Sequence, residues 1–357
     1  MACYVHPVKL PPAAESTQLA PDGNTRAIWF HDGSIRLQHT NKTTTTILSA
    51  GKDVIKIAFS PSLQWLAFSN AVDDCVIQIW DLNINVCAGK HVLNGRSSGS
   101  GLQLVFSPDS RHLALIPMQG RLMMLCADDW SAPIRTIGHC SCAAFSYDSR
   151  ILVGCSHNGS AAMWSTATYE RAGYVTALGA SVFCVASSPI TDMFAFSGRV
   201  FSDGVVVIAA VSSDGTASVK HALRAHTGVA TTLAFSPCGR RLVSVGWHGN
   251  LLVWEVATGT AIARAHMPPN VNIHPCFVSN ANQLVVNTGD KELRILVLCP
   301  WSDHTHYLFG QRFKTRVFQL MCVRAQLMPK WNVNIPIELW LMVMAHLSVC
   351  AIENLLL

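Results

Sequence analysis

Charged residues are scarce in this sequence: Asp, Glu, Lys and Arg make up 13% of the 357 residues, whereas hydrophobic residues make up 50%. The net charge of +5 is spread along the chain, and the longest basic run is the pair Arg240-Arg241. Nucleic acids and anionic lipid surfaces bind clustered Lys and Arg side chains, so neither is indicated as a partner. So high an apolar content predicts a folded chain with a large buried core.

The signatures of common enzyme classes are also missing. The chain has no Gly-rich phosphate loop followed by Lys and Ser or Thr, and no His-Glu-x-x-His zinc motif. The segment Gly154-Cys155-Ser156-His157-Asn158-Gly159 has one residue too many for a Gly-x-Ser-x-Gly nucleophile turn. We therefore expect a protein with no catalytic residues and no cofactor.

The 13 cysteines have no regular spacing, and no N-terminal stretch has the charged and then apolar layout of a signal peptide. We expect reduced thiols and an intracellular location, cytoplasmic, nuclear or both. The segment closest to a metal motif is His139-Cys140-Ser141-Cys142. On a strand, Cys140 and Cys142 would share one face, and no second Cys or His pair follows at a zinc-ligand spacing. We therefore predict two buried thiols here and no metal site.

One segment of the chain recurs, in clear form at residues 57–83, 143–169 and 233–259. Each copy begins with an apolar residue, Phe and Ser, contains a turn, and has a Trp near its end. A period of roughly 40–45 residues is typical of the four-stranded blades of a β-propeller. The position before Ser-Pro recurs at a mean interval of about 43 residues, at Leu19, Phe59, Phe106, Phe145, Ser187, Phe235 and Phe277.

These repeats predict an all-β fold, a seven-bladed β-propeller of four-stranded antiparallel blades that occupies about residues 15–300. Residues 1–14 are interpreted as an N-terminal extension, and how the ring closes is left open. Each copy also has a hairpin turn between its second and third strands, because Asp-Gly and Asn-Gly supply a positive φ. The aligned turn positions are Gly33, Cys75, Gly120, Gly159, Gly204, Gly249 and Asp290.

Five residues after these turns, Trp80, Trp164 and Trp254 recur, and Trp80-Asp81 is a literal Trp-Asp pair. On these residues the chain resembles the WD-repeat family over about four fifths of its length. In that family a His, a Ser or Thr, an Asp and the Trp form a hydrogen-bonded tetrad. Neither matching set has the Asp, so we expect weaker polar networks inside these blades. The sets are His139, Asn158 and Trp164 in one copy, and His226, Ser244, His248 and Trp254 in another.

The resemblance also implies that partners bind the rim formed by the turns between second and third strands. Trp and Arg dominate binding hot spots, which makes Trp247 and Arg199 prominent candidates. The alternative for Trp247 is a side chain tucked against the neighbouring blade. On this alignment the rim carries His31, Met118, His157, Arg199, Phe201, Trp247, His248 and Asp290.

After Pro300 the pattern changes to helical spacing, and residues 311–357 are interpreted as a short C-terminal α-helical segment. Its second predicted helix follows Asn334 and is apolar almost all round. From Leu339 to Ile352 only 14 residues are free of Asp, Glu, Lys and Arg, which is short of the ~20 that a membrane span needs. We expect no membrane span and a helix covered by protein.

This tail resembles two short docking motifs. Ile335-Pro336-Ile337-Glu338-Leu339-Trp340 is similar to the opening of an F-box, and residues 318–324 followed by that Ile-Pro are similar to a SOCS box. Gln326 departs from the SOCS pattern, and an F-box usually precedes its propeller. Both families bind adaptors of cullin-type ubiquitin ligases. The resemblance implies an adaptor-binding surface at Phe318, Met321, Cys322, Ile335, Pro336, Leu339, Trp340 and Val343.

The favoured hypothesis is a non-catalytic scaffold that acts as the substrate receptor of a cullin-type ubiquitin ligase. The propeller would hold a substrate protein, and the tail would hold the adaptor and cullin. The alternative is a general WD-repeat assembly scaffold with no ubiquitin link, whose tail packs on the propeller or joins two copies of the chain. A Trp-Asp-x-Arg signature, by which other propellers join a ligase, is absent, because Leu82-Asn83 follows Trp80-Asp81.

Overall fold

The computed structural model describes residues 3–9, 14–22, 25–39, 45–49, 54–70, 75–93, 102–117, 120–156, 159–175, 181–200, 203–212, 216–226, 228–266, 274–277, 283–287 and 292–298. The predicted helical tail, with its eight adaptor-binding candidates, lies outside these ranges. Throughout the described ranges the regular secondary structure is β-strand.

The strands form four-stranded antiparallel sheets, numbered here as blades in chain order. The first strand, β1 (Cys3–Lys9), belongs to blade 7. Blade 1 contains β2 (Ala14–Leu19), β3 (Thr25–Phe30), β4 (Ser34–His39) and β5 (Thr45–Ser49). Blade 2 contains β6 (Val54–Phe59), β7 (Trp65–Asn70), β8 (Cys75–Asp81) and β9 (Val86–Leu93). Blade 3 contains β10 (Gln103–Phe106), β11 (His112–Ile116), β12 (Arg121–Cys126) and β13 (Arg135–His139).

Blade 4 contains β14 (Cys142–Phe145), β15 (Ile151–Cys155), β16 (Ala161–Ser165) and β17 (Arg171–Val175). Blade 5 contains β18 (Ser181–Ser187), β19 (Met193–Val200), β20 (Asp203–Val211) and β21 (Ala217–His226). Blade 6 contains β22 (Ala230–Phe235), β23 (Arg241–Gly246), β24 (Asn250–Glu255) and β25 (Thr260–His266). Blade 7 joins β26 (His274–Phe277), β27 (Gln283–Asn287) and β28 (Glu292–Leu298) to β1.

The N-terminal strand completes the last sheet. β1 runs antiparallel to β28, from the pair Cys3 and Leu298 to the pair Lys9 and Glu292. The prediction that residues 1–14 form an extension is therefore wrong for Cys3–Lys9, which lies inside the propeller unit Met1–Pro300. No local sequence signal indicates this pairing, because the two strands are separated by nearly the whole propeller.

The sheets are arranged as propeller blades, with the first strands of consecutive sheets in contact from β6 through β10, β14, β18 and β22 to β26. The predicted all-β propeller of four-stranded antiparallel blades is confirmed. Six blades use four consecutive strands each, and blade 7 is described by its backbone. Every residue used to align the repeats ends the first strand of its blade, from Leu19 in β2 to Phe277 in β26.

A serine follows five of the seven aligned residues and explains why this position recurs. In blade 2 the Ser60 amide donates to the carbonyl of Trp65 at 2.9 Å, and Ser60 Oγ accepts the Trp65 amide at 2.9 Å. Ser107 and Ser146 make the same pair of bonds in blades 3 and 4, and Ser236 makes them in blade 6. These serines are buried, so the turn satisfies backbone groups that water cannot reach.

Further serines link neighbouring blades through the same turns. Ser110 Oγ accepts the amide of Ser62 in blade 2 at 2.9 Å, and Ser149 Oγ accepts the amide of Asp109 in blade 3 at 2.9 Å. Ser110 and Ser149 adopt left-handed backbone conformations, with φ of 64° and 62°. A residue with a Cβ is sterically strained at such a φ. The hydrogen bond between blades offsets this strain, which is a physical reason for serine at these positions.

The apolar core lies between adjacent blades. Trp254 packs with residues of blade 5 such as Ile208, and Trp164 packs with residues of blade 3 such as Leu122. The half-buried Trp80 packs in the same way against the cluster that unites blades 1 and 2. Each recurring Trp therefore covers the face of its blade that meets the preceding blade, which is a packing reason for the repeat.

Candidate functional site

The predicted rim turns lie at the expected positions. Each aligned turn residue falls within two residues of the start of the third strand of its blade, as with Gly249 directly before β24. Four predicted rim residues have described side chains, and all four are exposed: His31, Arg199, Trp247 and His248. The other four lie outside the described residues: Met118, His157, Phe201 and Asp290.

Trp247 lies on a short turn that leads from β23 into β24. The turn is closed by the Gly249 amide, which donates to the carbonyl of Gly246 at 2.9 Å, and Gly249 adopts a positive φ of 78°. The Trp247 amide donates to the carbonyl of Val229 at 3.1 Å, in the connection from blade 5. Its backbone is therefore held, while its side chain is 65% exposed. The alternative of a tucked Trp247 is wrong.

Arg199 reaches the same place from blade 5. It pairs with Gly204 across the hairpin of β19 and β20. Gly204 lies against the carbonyl of Gly228, so closely that a Cβ at Gly204 would overlap this oxygen. A Cβ on Gly228 would in turn lie 3.8 Å from the His248 ring. The structure thus brings Arg199, Trp247 and His248 together around one connection, whereas His31 belongs to the turn of blade 1.

The acidic residues of blades 3 to 6 concentrate at the end of the strands opposite Trp247. That end holds the turns between first and second strands and between third and fourth strands. The Trp247 end carries Arg199 and His248, with Asp203 as its acidic residue, whose side chain is not described. Acidic residues in or next to the opposite turns are Asp109, Asp128, Asp129, Asp148, Glu170, Asp192 and Glu255.

The tetrad of blade 6 is present in part. His226 Nε2 lies 2.6 Å from Ser244 Oγ, and Trp254 Nε1 donates to the same oxygen at 2.8 Å. His248 stands where the family has Asp and makes no bond that would replace it, so His226 Nδ1 is buried without a hydrogen-bond partner among the described residues. Burial, with a smaller effect of the Arg264 charge, lowers the pKa of His226 to about 4. The network of blade 6 is therefore incomplete, and its weakening stays a prediction.

Blade 4 has no comparable network in its described residues. Gly154 occupies the Ser244 position, and a Cβ on Gly154 would lie 2.7 Å from the Trp164 ring. His139 is exposed and forms no hydrogen bond with Trp164, and Asn158 is outside the described residues. A cavity of about 340 Å³ lies between His139 and Trp164. It is lined by Gly138, His139, Ser156, Trp164, Arg171 and Tyr174. The expected tetrad position of His139 is therefore wrong.

Cys140 and Cys184 lack the environment of reactive thiols. Cys140 and Cys142 are buried at the connection between blades 3 and 4, as predicted, and burial raises the pKa of Cys140 to about 12. Burial likewise raises the pKa of Cys184 to about 12. A thiol with such a pKa stays protonated at neutral pH and is a poor nucleophile and metal ligand.

In the described part of the chain, no group of three or more His, Cys, Asp or Glu side chains is placed to hold a metal ion. The same ranges contain no helix that is both long enough and apolar enough to cross a membrane.

Three segments match the WD40 family model, described as WD domain, G-beta repeat, at residues 41–81, 131–165 and 217–255. Each match ends one residue after a recurring Trp, at Trp80, Trp164 and Trp254. Together the matches cover about a third of the chain. No curated protein matches the chain. The three matches and the propeller arrangement agree on WD repeats, and no match falls on the tail.

Proposed function

We propose that this protein is a non-catalytic interaction scaffold, a closed seven-bladed WD-repeat propeller that binds other proteins at its rim turns. The observation that carries the proposal is Trp247, a large aromatic side chain that is 65% exposed on a turn with a fixed backbone. A rigid, exposed Trp is typical of a binding hot spot, because it loses little conformational freedom when a partner covers it. Arg199 of blade 5 flanks the same connection.

Affinity capture from a cell extract tests this function. The double variant Trp247→Ala and Arg199→Ala should fold and should lose captured proteins. The matched control is Tyr147→Ala with Arg111→Ala, an exposed aromatic and an exposed Arg at the opposite end of the blades. If the rim variant captures the same proteins as the control, the assignment of the rim is wrong.

We propose, more narrowly, that the protein is the substrate receptor of a cullin-type ubiquitin ligase. The support is the sequence of the tail, where Ile335-Pro336-Ile337-Glu338-Leu339-Trp340 resembles an F-box and residues 318–324 resemble a SOCS box. In this role Phe318, Met321, Cys322, Ile335, Pro336, Leu339, Trp340 and Val343 contact the adaptor. Without such a contact the chain would serve as a general assembly scaffold.

Deletion of residues 311–357 separates the two roles. A receptor should lose adaptor and cullin binding and keep its rim partners. If the truncated protein retains its ligase partners, or if the full chain captures no adaptor or cullin, the ligase role is wrong and the scaffold role stands. Aggregation of the truncated protein would indicate a tail that packs on the propeller, and Trp340→Ala with Leu339→Ala in the full chain would then replace the deletion.

We also propose an intracellular location, cytoplasmic, nuclear or both. All eight cysteines with described side chains are free thiols, including the buried Cys75, Cys140, Cys142 and Cys155. Free buried thiols persist in reducing compartments. Imaging of a fluorescent fusion would test the location, and secretion into the medium would contradict it.

A further inference from the structure

The chemistry of the rim partner can be inferred from the charges around Trp247, an inference that rests on the proposed scaffold function. We propose that blades 5 and 6 bind an acidic segment of a partner protein that also carries an apolar side chain. The binding area, called the Trp247 surface, consists of Arg199, Trp247, His248 and His266.

The four residues come from two blades that meet at one connection. Arg199 lies beside Gly204, which contacts the carbonyl of Gly228, and Val229 accepts the Trp247 amide at 3.1 Å. His266 closes the other side, since its Nδ1 donates to Asn250 Oδ1 at 2.9 Å and Asn250 directly follows the Trp247 turn. Backbone contacts hold the surface, so its side chains are preorganised for a partner.

Arg199 of the Trp247 surface forms no ion pair with a carboxylate whose side chain the structure describes. An ion pair of the described residues joins Arg150 to Asp148 at 3.9 Å, at the opposite end of the blades. Arg224 and Arg264 are exposed on β21 and β25, two residues before the strand ends that flank the Trp247 surface. An acidic segment of a partner could pair with Arg199, Arg224 and Arg264.

The same observations disfavour a nucleic acid. The cationic groups are single Arg residues on separate strands, whereas a phosphate backbone is bound by clustered basic residues that release its counterions. Among the described residues at this end of blades 5 and 6, the exposed aromatic is a lone Trp rather than a row of stacking aromatics. A peptide that places an apolar residue on Trp247 and carboxylates beside it fits this pattern of one aromatic and flanking cations.

Fluorescence polarisation with labelled peptides tests the inference. The probes are a repeating Glu-Glu-Leu peptide, a Lys-Lys-Leu peptide of equal length and a single-stranded RNA, each added to the full chain. We expect the acidic peptide alone to bind, more weakly as salt is raised, because exposed charges are screened. Arg199→Glu and Trp247→Ala should each weaken binding by about tenfold.

Matched controls separate the site from general charge effects. Arg111→Glu makes the same charge change, and Tyr147→Ala removes an exposed aromatic, both at the opposite end of the blades. Neither should alter peptide binding. Arg199→Gln replaces Arg199→Glu if the reversal unfolds the protein.

Three results would overturn the inference: no binding of the acidic peptide, equal binding of the basic peptide or the RNA, or equal losses in Arg199→Glu and Arg111→Glu. Capture from a cell extract distinguishes a failure of the inferred partner chemistry from a failure of the proposed rim function. If Arg199→Glu abolishes capture while the acidic peptide does not bind, the rim function stands and the partner chemistry is wrong. If capture is also unchanged, both are wrong.

Discussion

His226 and Trp254 share a single hydroxyl group: Nε2 of His226 and Nε1 of Trp254 lie 2.6 and 2.8 Å from Ser244 Oγ. Trp254 can only donate, so Ser244 accepts from it. We assign the His226 tautomer in which Ser244 directs its own hydrogen to Nε2. His226 then carries its proton on the buried Nδ1, which has no described partner. The predictions for blade 6 depend on this assignment.

Removal of the shared hydroxyl should destabilise blade 6. Ser244→Ala leaves two buried groups without a partner, His226 Nε2 and the Trp254 N–H, and should lower the free energy of unfolding by about 3 kcal/mol. Ser197 is the matched control, a buried serine on the second strand of blade 5 whose Oγ has no partner among the described residues. Ser197→Ala should change stability by less than about 1 kcal/mol in urea unfolding. Equal effects of the two substitutions would contradict the network.

Acid should weaken the fold through His226. Its folded pKa is about 4, below the ordinary 6.5, so the unfolded chain binds the proton first and the stabilising contribution is lost as pH falls from about 6.5 to 4. Between pH 7 and pH 5 the loss should be about 2 kcal/mol. Urea unfolding at both pH values should show a smaller loss for His226→Gln. An identical pH dependence in the two proteins would rule out His226 as the acid-sensitive group.

His248→Asp should complete the tetrad. In the related repeats an Asp stands at this position, and its carboxylate would accept the His226 Nδ1 proton. Stability at neutral pH should rise by about 1 kcal/mol, and a nearby negative charge should raise the pKa of His226. Titration of the His226 ring by NMR and urea unfolding measure the two effects. His248→Ala is the control and should leave the pKa low, so a rise in both variants would count against this explanation.

The bond between blades 3 and 4 should be separable from backbone strain at Ser149. Ser149→Ala loses the bond to the Asp109 amide and keeps the unfavourable φ of 62°, whereas Ser149→Gly loses the bond and relieves the backbone. The Ala variant should therefore be less stable than the Gly variant by roughly 1 kcal/mol. Thermal unfolding of both gives the difference, and a more stable Ala variant would refute the proposed balance.

Gly204 should tolerate no side chain, whereas Gly228, which packs against it, should tolerate one. A Cβ at Gly204 would overlap the carbonyl of Gly228, so Gly204→Ala must displace backbone and should cost about 2 kcal/mol or more. Gly228→Ala is the control, because its Cβ would make an ordinary contact with the His248 ring at 3.8 Å. A tolerated Gly204→Ala in thermal unfolding would show that the contact between blades 5 and 6 is looser than described.

Much of the fold could be predicted from sequence because the repeat is made of local turns. Ser60 and Trp65 are five residues apart, and their bonds recur with Ser107, Ser146 and Ser236, so the pattern marks the same turn each time.

The candidate site was predictable only in part. His139 and His226 both precede a blade, but His139 is three residues closer to its aligned Phe, so only the longer connection delivers its ring to the tetrad position.

The sequence by itself determined the all-β class, the ends of the first strands and the positions of the rim turns, because hydrogen bonds within a few residues specify them. Tertiary structure alone decided that β1 completes the sheet of β28, since that pairing joins residues at opposite ends of the propeller. It also decided that Trp247 is exposed and that Trp247 and Arg199 flank the same connection between blades. These residues belong to different blades, and only the packing of blade 5 against blade 6 brings them together.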